Sequence, residues 1–165
     1  MSGSVLQREI RQRRPFRSSA HEAAVGLLRT TDRLRRTLAS VVEPRGITLQ
    51  QYNVLRILRG SRPQGLPTLE IAARMVEHAP GITRLLDRLE AKRLVIRERD
   101  RRDRRQVMCR IVPAGLRLLA GLDAGLQHAD DTTVGVLSRR DLRRLIALLD
   151  RIRAAPPGQR KGDDR

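Results

Sequence analysis

The hydrophobic pattern between Ile82 and Ile111 changes its period twice, and few folds accommodate such a change. Ile82, Leu85, Leu86 and Leu89 recur at helical spacing, which puts them on one face of a short helix. Thr83, Arg84, Asp87, Arg88 and Lys92 fall on the opposite face. After Lys92 the pattern becomes that of a strand. Leu94, Val95 and Ile96 run into alternating charge, a turn crowded with arginine follows, and Val107, Cys109 and Ile111 alternate at period two, which predicts an inward face for all three. The order is helix, strand, charged turn, strand.

A helix with an apolar back and a basic, hydroxyl-bearing front suits the major groove of duplex DNA, where guanidinium and hydroxyl groups reach base edges. A two-stranded ribbon tipped with arginine suits the backbone or the minor groove, where narrow tracts concentrate negative potential. Charge agrees with that chemistry. The chain carries 35 Lys or Arg against 18 Asp or Glu, a formal +17, which calls for a polyanionic partner. Residues 84–110 hold eleven basic and five acidic groups, a net +6 concentrated on the helix and hairpin. Only Phe16 and Tyr52 are aromatic, so a stacking platform for single-stranded nucleic acid is nearly excluded. The core must be built from Leu, Ile, Val and Ala.

Upstream, Met1 to Ser18 is polar, arginine-rich and broken by Pro15, and reads as a flexible basic arm. Ala20, Ala24, Leu27, Leu28, Leu34, Leu38 and Val41 then form a one-sided stripe, predicting a long helix over 19–42 that Pro44 and Gly46 stop. Thr48-Leu49-Gln50-Gln51 is a capping box opening a second helix that runs to about Leu58 and is apolar on more than one side. A loop over Gly60–Pro67 ends in a short strand. Thr68 is placed to cap a third helix through Met75 or Val76, with Leu69, Ile71, Ala72 and Met75 inward. His78-Ala79-Pro80-Gly81 makes the turn into the helix at Ile82, with Pro80 at a first helical position. The third and fourth helices are then a helix-turn-helix pair with the hairpin as a wing.

Downstream, Val112-Pro113 opens a leucine-rich helix, and Ser138-Arg139-Arg140-Asp141 signals the start of another. The stripes on the first and last helices exceed what a small winged-helix core can cover, which argues for a second copy of the chain. The fold class is therefore mainly α with a small β-wing: a winged helix-turn-helix with N- and C-terminal dimerisation helices. The expected layout is a flexible arm over 1–18, one domain over 19–153 and a flexible tail over 154–165. Within the domain the DNA-binding lobe covers about 48–112, and the dimerisation helices cover about 19–42 and 113–153.

Ile82-Thr83-Arg84-Leu85-Leu86-Asp87-Arg88-Leu89-Glu90, followed by Asp100-Arg101-Arg102-Asp103-Arg104-Arg105, resembles the MarR family of bacterial transcription regulators. The likeness runs in motif from roughly Thr48 to Gly115 and more loosely over the flanking helices. It implies a homodimer on double-stranded DNA at a palindromic operator, most simply a repressor. Pro80, Thr83, Arg84 and Arg88 would meet the major groove, with Arg84 the preferred base reader, Arg88 meeting phosphate, and Asp87 orienting one of these arginines or standing as an exposed acid. The wing pattern Asp-x-Arg-Asp-x-Arg falls on Asp100, Arg102, Asp103 and Arg105. The resemblance puts Arg105 in the minor groove with Asp103 fixing the turn, and Arg102 and Arg104 beside them on DNA. A small aromatic or anionic effector would bind between the DNA lobe and the dimer helices, with His21, Tyr52 and Arg56 as polar candidates. Three positions depart from the family pattern: Ala79 replaces a common capping hydroxyl, Val112 a common threonine, and Arg93 a usual glycine. A left-handed backbone at Arg93 would cost on the order of 1 kcal/mol.

Other classes find little support. No Gly-rich phosphate loop or nucleophile-base pair occurs, so an enzyme is not expected, and no cofactor is implied. His21, His78 and His128 are too far apart in sequence to suggest a zinc site. The single cysteine, Cys109, cannot form an internal disulfide and reads as packing. No apolar run approaches the ~20 residues a membrane span needs, and the basic N-terminus lacks the apolar core of a signal peptide, so a soluble, cytoplasmic protein without a membrane partner is expected. The alternative within the DNA-binding class is an architectural, sequence-indifferent binder, for which the net charge alone would suffice.

Overall fold

The computed structural model describes residues 4–77, 81–99 and 106–155. The chain falls into two compact units, Met1–Leu126 and Gln127–Arg165.

In the first unit, helix α1 (Val5–Glu9) is a single short turn of chain capped by the Ser4 hydroxyl, which accepts from the Gln7 N–H at 3.2 Å. It lies against α2 (Ser19–Val42): an ion pair joins Glu9 to Arg29 at 3.0 Å, and Leu6 approaches Gly26. The expectation of a flexible arm is corrected for Val5–Glu9, because Ser4 satisfies the helix start and Leu6 has an apolar contact. Val42 is the one buried residue of α2. Leu28 is 72% exposed, so the apolar stripe predicted for this helix is left uncovered over much of its length.

A turn of 3-10 helix (Glu43–Arg45) ends at Gly46, and α3 (Leu49–Gly60) follows. The predicted capping box is present: Gln51 N–H donates to the Thr48 hydroxyl at 3.2 Å, and Thr48 N–H donates to Gln51 Oε1 at 3.1 Å. Helix α3 is the central post of the core, burying Val54, Leu55 and Leu58. Strand β1 (Leu66–Pro67) leads directly into α4 (Thr68–Ala73). Here three expectations fail. Pro67, not Thr68, is the N-cap of α4, and no side chain caps it. The Thr68 hydroxyl instead lies 3.7 Å from the Cys109 sulfur. The helix also ends at Ala73, and Leu69 is 83% exposed rather than inward. With only six residues in α4, Ile71 is the one side chain that reaches the core.

Helix α5 (Ile82–Ala91), strand β2 (Val95–Arg99) and strand β3 (Val107–Ile111) complete the winged pattern. The sheet is antiparallel, in the order β1, β3, β2, with Val95 opposite Ile111, Arg97 opposite Cys109 and Leu66 opposite Cys109 on the other side. Gly65, just before β1, has φ 77°, and a Cβ there would lie 2.4 Å from the Cys109 carbonyl oxygen; only glycine lets the chain approach β3 this closely. Cys109 and Ile111 point inward as predicted. Val107 shares their parity but is not covered: it is 39% exposed at the outer end of the ladder, opposite Arg99.

Two backbone links join the end of α5 to α6 (Pro113–Thr133). The Leu94 N–H donates to Leu89 O at 3.0 Å, and the Leu94 carbonyl accepts the Val112 N–H at 3.2 Å. Gly115, in the first turn of α6, is so close that a Cβ would stand 2.5 Å from that same carbonyl. Farther along, Leu119, Leu122 and Leu126 are buried, and Arg59 of α3 pairs with Asp123 at 3.1 Å.

The second unit holds the end of α6, a turn, and α7 (Arg139–Ala154). Its start is the one predicted: the Ser138 hydroxyl accepts the Asp141 N–H at 3.2 Å. No residue of α7 is buried, although Leu142, Leu145, Ile146, Leu148, Leu149 and Ile152 lie along it.

Candidate nucleic-acid interface

Helix α5 is held from behind. Leu85, Leu86 and Leu89 are buried and Ile82 is half-buried, so three turns of the apolar stripe fix the rotation of the helix about its own axis. The consequence is that Thr83, Arg84, Asp87 and Arg88 are all exposed. Gly81, with φ 103°, is the N-cap, and the helix starts at Ile82. This is later than the expectation that placed Pro80 at a first helical position; a positive φ at Gly81 is incompatible with helix there. Pro80 itself lies outside the described residues, as do Arg102, Asp103, Arg104 and Arg105 of the wing.

Arg84 sits in the first turn of α5 and Arg88 one turn on. Neither guanidinium is engaged by another side chain among the described residues. Among the described residues, then, these two cations have no internal partner and stand on the outward face of a helix whose back is locked. Asp87 does not orient either of them. It pairs with Arg97 of β2, Oδ1 to Nη2 at 2.7 Å.

Arg97 is the residue that sequence reading missed. Its Nε and Nη2 donate to Glu90 Oε2 at 2.9 and 2.6 Å, and its backbone N–H donates to Glu90 Oε1 at 3.0 Å. The side chain is only 24% exposed. The bond to Glu90 is the main reason the guanidinium is held above its usual pKa; desolvation opposes that rise, and Asp87 adds to it. A signal was present in the chain: Arg97 has the same parity as the buried Val95, so a cation on the inner side of the strand required a carboxylate partner.

The remaining candidates divide. Cys109 is fully buried, and burial pushes its thiol up, with a smaller opposing effect from the Thr68 contact. It is a packing residue, as expected. His21 stacks edge-on against Phe16, with ring centres 5.6 Å apart, and its Nδ1 has no partner among the described residues. Tyr52 is half-buried against the core, and Arg56 is exposed. No hydrogen bond or ion pair among the described residues joins these three. None of them lines the cleft of about 490 Å³ that opens between α2, the start of α3 and α5, whose walls include Arg35, Arg36, Leu49, Leu85 and Arg88. Among the described residues no group of three His, Cys, Asp or Glu side chains is placed to hold a metal, and no helix is long and apolar enough to cross a membrane.

This arrangement has counterparts. Residues 45–106 match the MarR family model. The crystal structure of a MarR transcription factor from Planctomyces limnophilus superposes with a TM-score of 0.64 at 38% identity, over 82% of this chain and 98% of that one. The HTH-type transcriptional regulator TtmR of Methylorubrum extorquens is 36% identical over 117 residues, which are 71% of this chain and 56% of that protein. A crystal structure of the S. aureus MepR–DNA complex matches with a TM-score of 0.70 at 24% identity, over 76% of this chain and 93% of that one.

Proposed function

Because the chain belongs to the MarR family of DNA-binding transcription regulators, we propose that it works as a homodimer that represses promoters by occupying an inverted-repeat operator. Each protomer presents α5 to the major groove, with Arg84 reading a base, Thr83 and Pro80 beside it, and Arg88 on a phosphate. The wing residues Arg102, Asp103, Arg104 and Arg105 serve the minor groove.

The observation that carries this reading is the pairing of a buried back with an unengaged cationic front on α5. A good bidentate arginine contact supplies about 1–3 kcal/mol of discrimination between bases, and it requires a guanidinium that no internal carboxylate already holds. The homodimer is supported by α7, where Ile146 and Ile152 are 57% and 61% exposed on a helix that buries nothing. S. aureus MepR has been crystallised with DNA, and this chain shares its fold. Relief by a small effector belongs to the same reading. The cleft beside α5 offers it a place with charges of both signs in its walls: Arg35 and Arg36 are paired with Glu77 and Asp32, Glu43 lies on the same wall, and Arg88 supplies the cation without an internal partner among the described residues.

The test begins with selection of a binding site from a random duplex library using the full chain. Fluorescence anisotropy then compares that site with a scrambled duplex of equal length across a salt series. The expected result is an affinity ratio of about a thousandfold or more, with two protomers bound per inverted repeat. Equal affinity and equal salt slope on both duplexes would replace this reading with a sequence-indifferent backbone binder.

A further inference from the structure

Strand β2 lies at the edge of the sheet, paired with β3 on one side only. An edge strand has backbone donors without ladder partners, and its direction is less constrained than that of a central strand. Here the Glu90 carboxylate occupies one of those donors, the Arg97 N–H, while its other oxygen holds the Arg97 side chain. Asp87, one turn earlier on α5, takes the remaining reach of the same guanidinium. The side chain and the backbone of one strand residue are thus tied to two successive turns of α5.

We propose that Arg97 is a positioning residue for DNA recognition: clamped by Asp87 and Glu90, it sets the angle between helix α5 and the β2–β3 wing, so that the helix and the wing engage adjacent grooves together. The inference rests on the DNA-reading role proposed above. Two features separate this clamp from an ordinary surface ion pair. Glu90 and Arg97 are 38% and 24% exposed, which limits screening by solvent. The two side-chain bonds to Glu90 Oε2 are also combined with a backbone anchor on Oε1, which restricts the strand in direction as well as position. Leu85, Leu86 and Leu89 hold α5 to the core without the clamp. Its loss therefore frees the wing while leaving α5 seated.

The experiment uses the full chain on the duplex selected by the wild-type protein. Dimethyl sulfate protection of guanine N7 reports the major groove, and hydroxyl-radical protection reports the minor groove. Glu90→Gln removes the charge that organises the clamp, and Asp87→Asn removes only its outer contact. Arg97→Lys keeps the charge but loses the fork. Far-ultraviolet circular dichroism and a thermal melt verify that each variant is folded, and Asp87→Asn provides the test should Glu90→Gln fail to fold. In Glu90→Gln and Arg97→Lys, guanine N7 protection is expected to persist while minor-groove protection is lost, with affinity about tenfold weaker and a smaller loss in Asp87→Asn. Parallel loss of both protections would overturn the inference, since the residues would then be supporting the fold alone. Unchanged protection in folded variants would also overturn it. If the wild-type protein itself protects neither groove on any duplex, the DNA-reading role fails first and the clamp falls with it.

Discussion

Arg93 has φ 55°, in the left-handed region, and stands one residue past the C-cap of α5. The surrounding bonds form a Schellman turn: Arg93 N–H donates to Glu90 O at 2.8 Å, and Leu94 N–H donates to Leu89 O at 3.0 Å. A residue with a Cβ in this conformation costs about 1–2 kcal/mol. Glycine escapes that cost but loses more freedom on folding, by roughly 0.5–1 kcal/mol. The balance predicts that Arg93→Gly stabilises the protein by about 0.5–1 kcal/mol, or a rise in Tm of about 1–4 °C for a chain of this size. Arg93 is exposed in a strongly basic region, so relief of charge repulsion would act in the same direction. Arg93→Ala separates the two effects, because it removes the charge and retains the Cβ. Urea denaturation followed by circular dichroism should show the gain in the glycine variant and a change within about 0.5 kcal/mol in the alanine variant. Protein concentration must be equal throughout, since the stability of any self-associating chain depends on it. Equal stabilisation by both substitutions would refute the backbone argument and assign the effect to charge; destabilisation by glycine would refute it outright.

Three further outcomes follow from the same structure. Thr48→Ala removes one half of the capping box on α3 and should lower stability by about 1 kcal/mol, read as a lower urea midpoint with an unchanged slope; no shift would mean that Gln51 alone secures that helix start. Ile146→Asp combined with Ile152→Asp should move the sedimentation coefficient to that of a single chain and weaken operator binding together, whereas an unchanged coefficient would place the dimer contact elsewhere. Cys109 has its pKa raised by burial, so its thiol stays protonated at pH values where an exposed cysteine forms thiolate. At pH 8.5 iodoacetamide should leave the native protein unlabelled and modify it promptly in urea, and rapid native labelling would contradict the packing role.

Features governed by neighbouring residues were legible in the sequence. The capping box at Thr48 and Gln51, the helix start at Ser138, and the change of period between α5 and the wing each depend on residues within one or two turns of one another, and each occurs where the pattern puts it. Features governed by tertiary contacts were not. Thr68 has the chemistry of a cap, yet its hydroxyl faces Cys109 because β1 pairs with β3 at that point. Leu69 has the polarity of a core residue, but α4 is too short to turn a second side chain inward. Asp87 has helix neighbours of opposite charge, and it pairs across to the strand because Arg97 is half-enclosed and preorganised by Glu90. The outward face of α5 was recoverable for Thr83, Arg84 and Arg88, since the leucines that fix the back of a helix also define its front. Resemblance and polarity alone point to the effector candidates, and polarity does not indicate which helices adjoin. His21, Tyr52 and Arg56 accordingly share no bond.

Leu94 is a shared pivot. Its amide closes the end of α5, its carbonyl receives Val112, and the first turn of α6 is seated against that carbonyl at Gly115. The junction is close: the start of α6 and the end of α5 meet at one peptide unit. A shift in the first turn of α6 would therefore reach the end of α5 through the backbone of the short turn that joins that helix to β2.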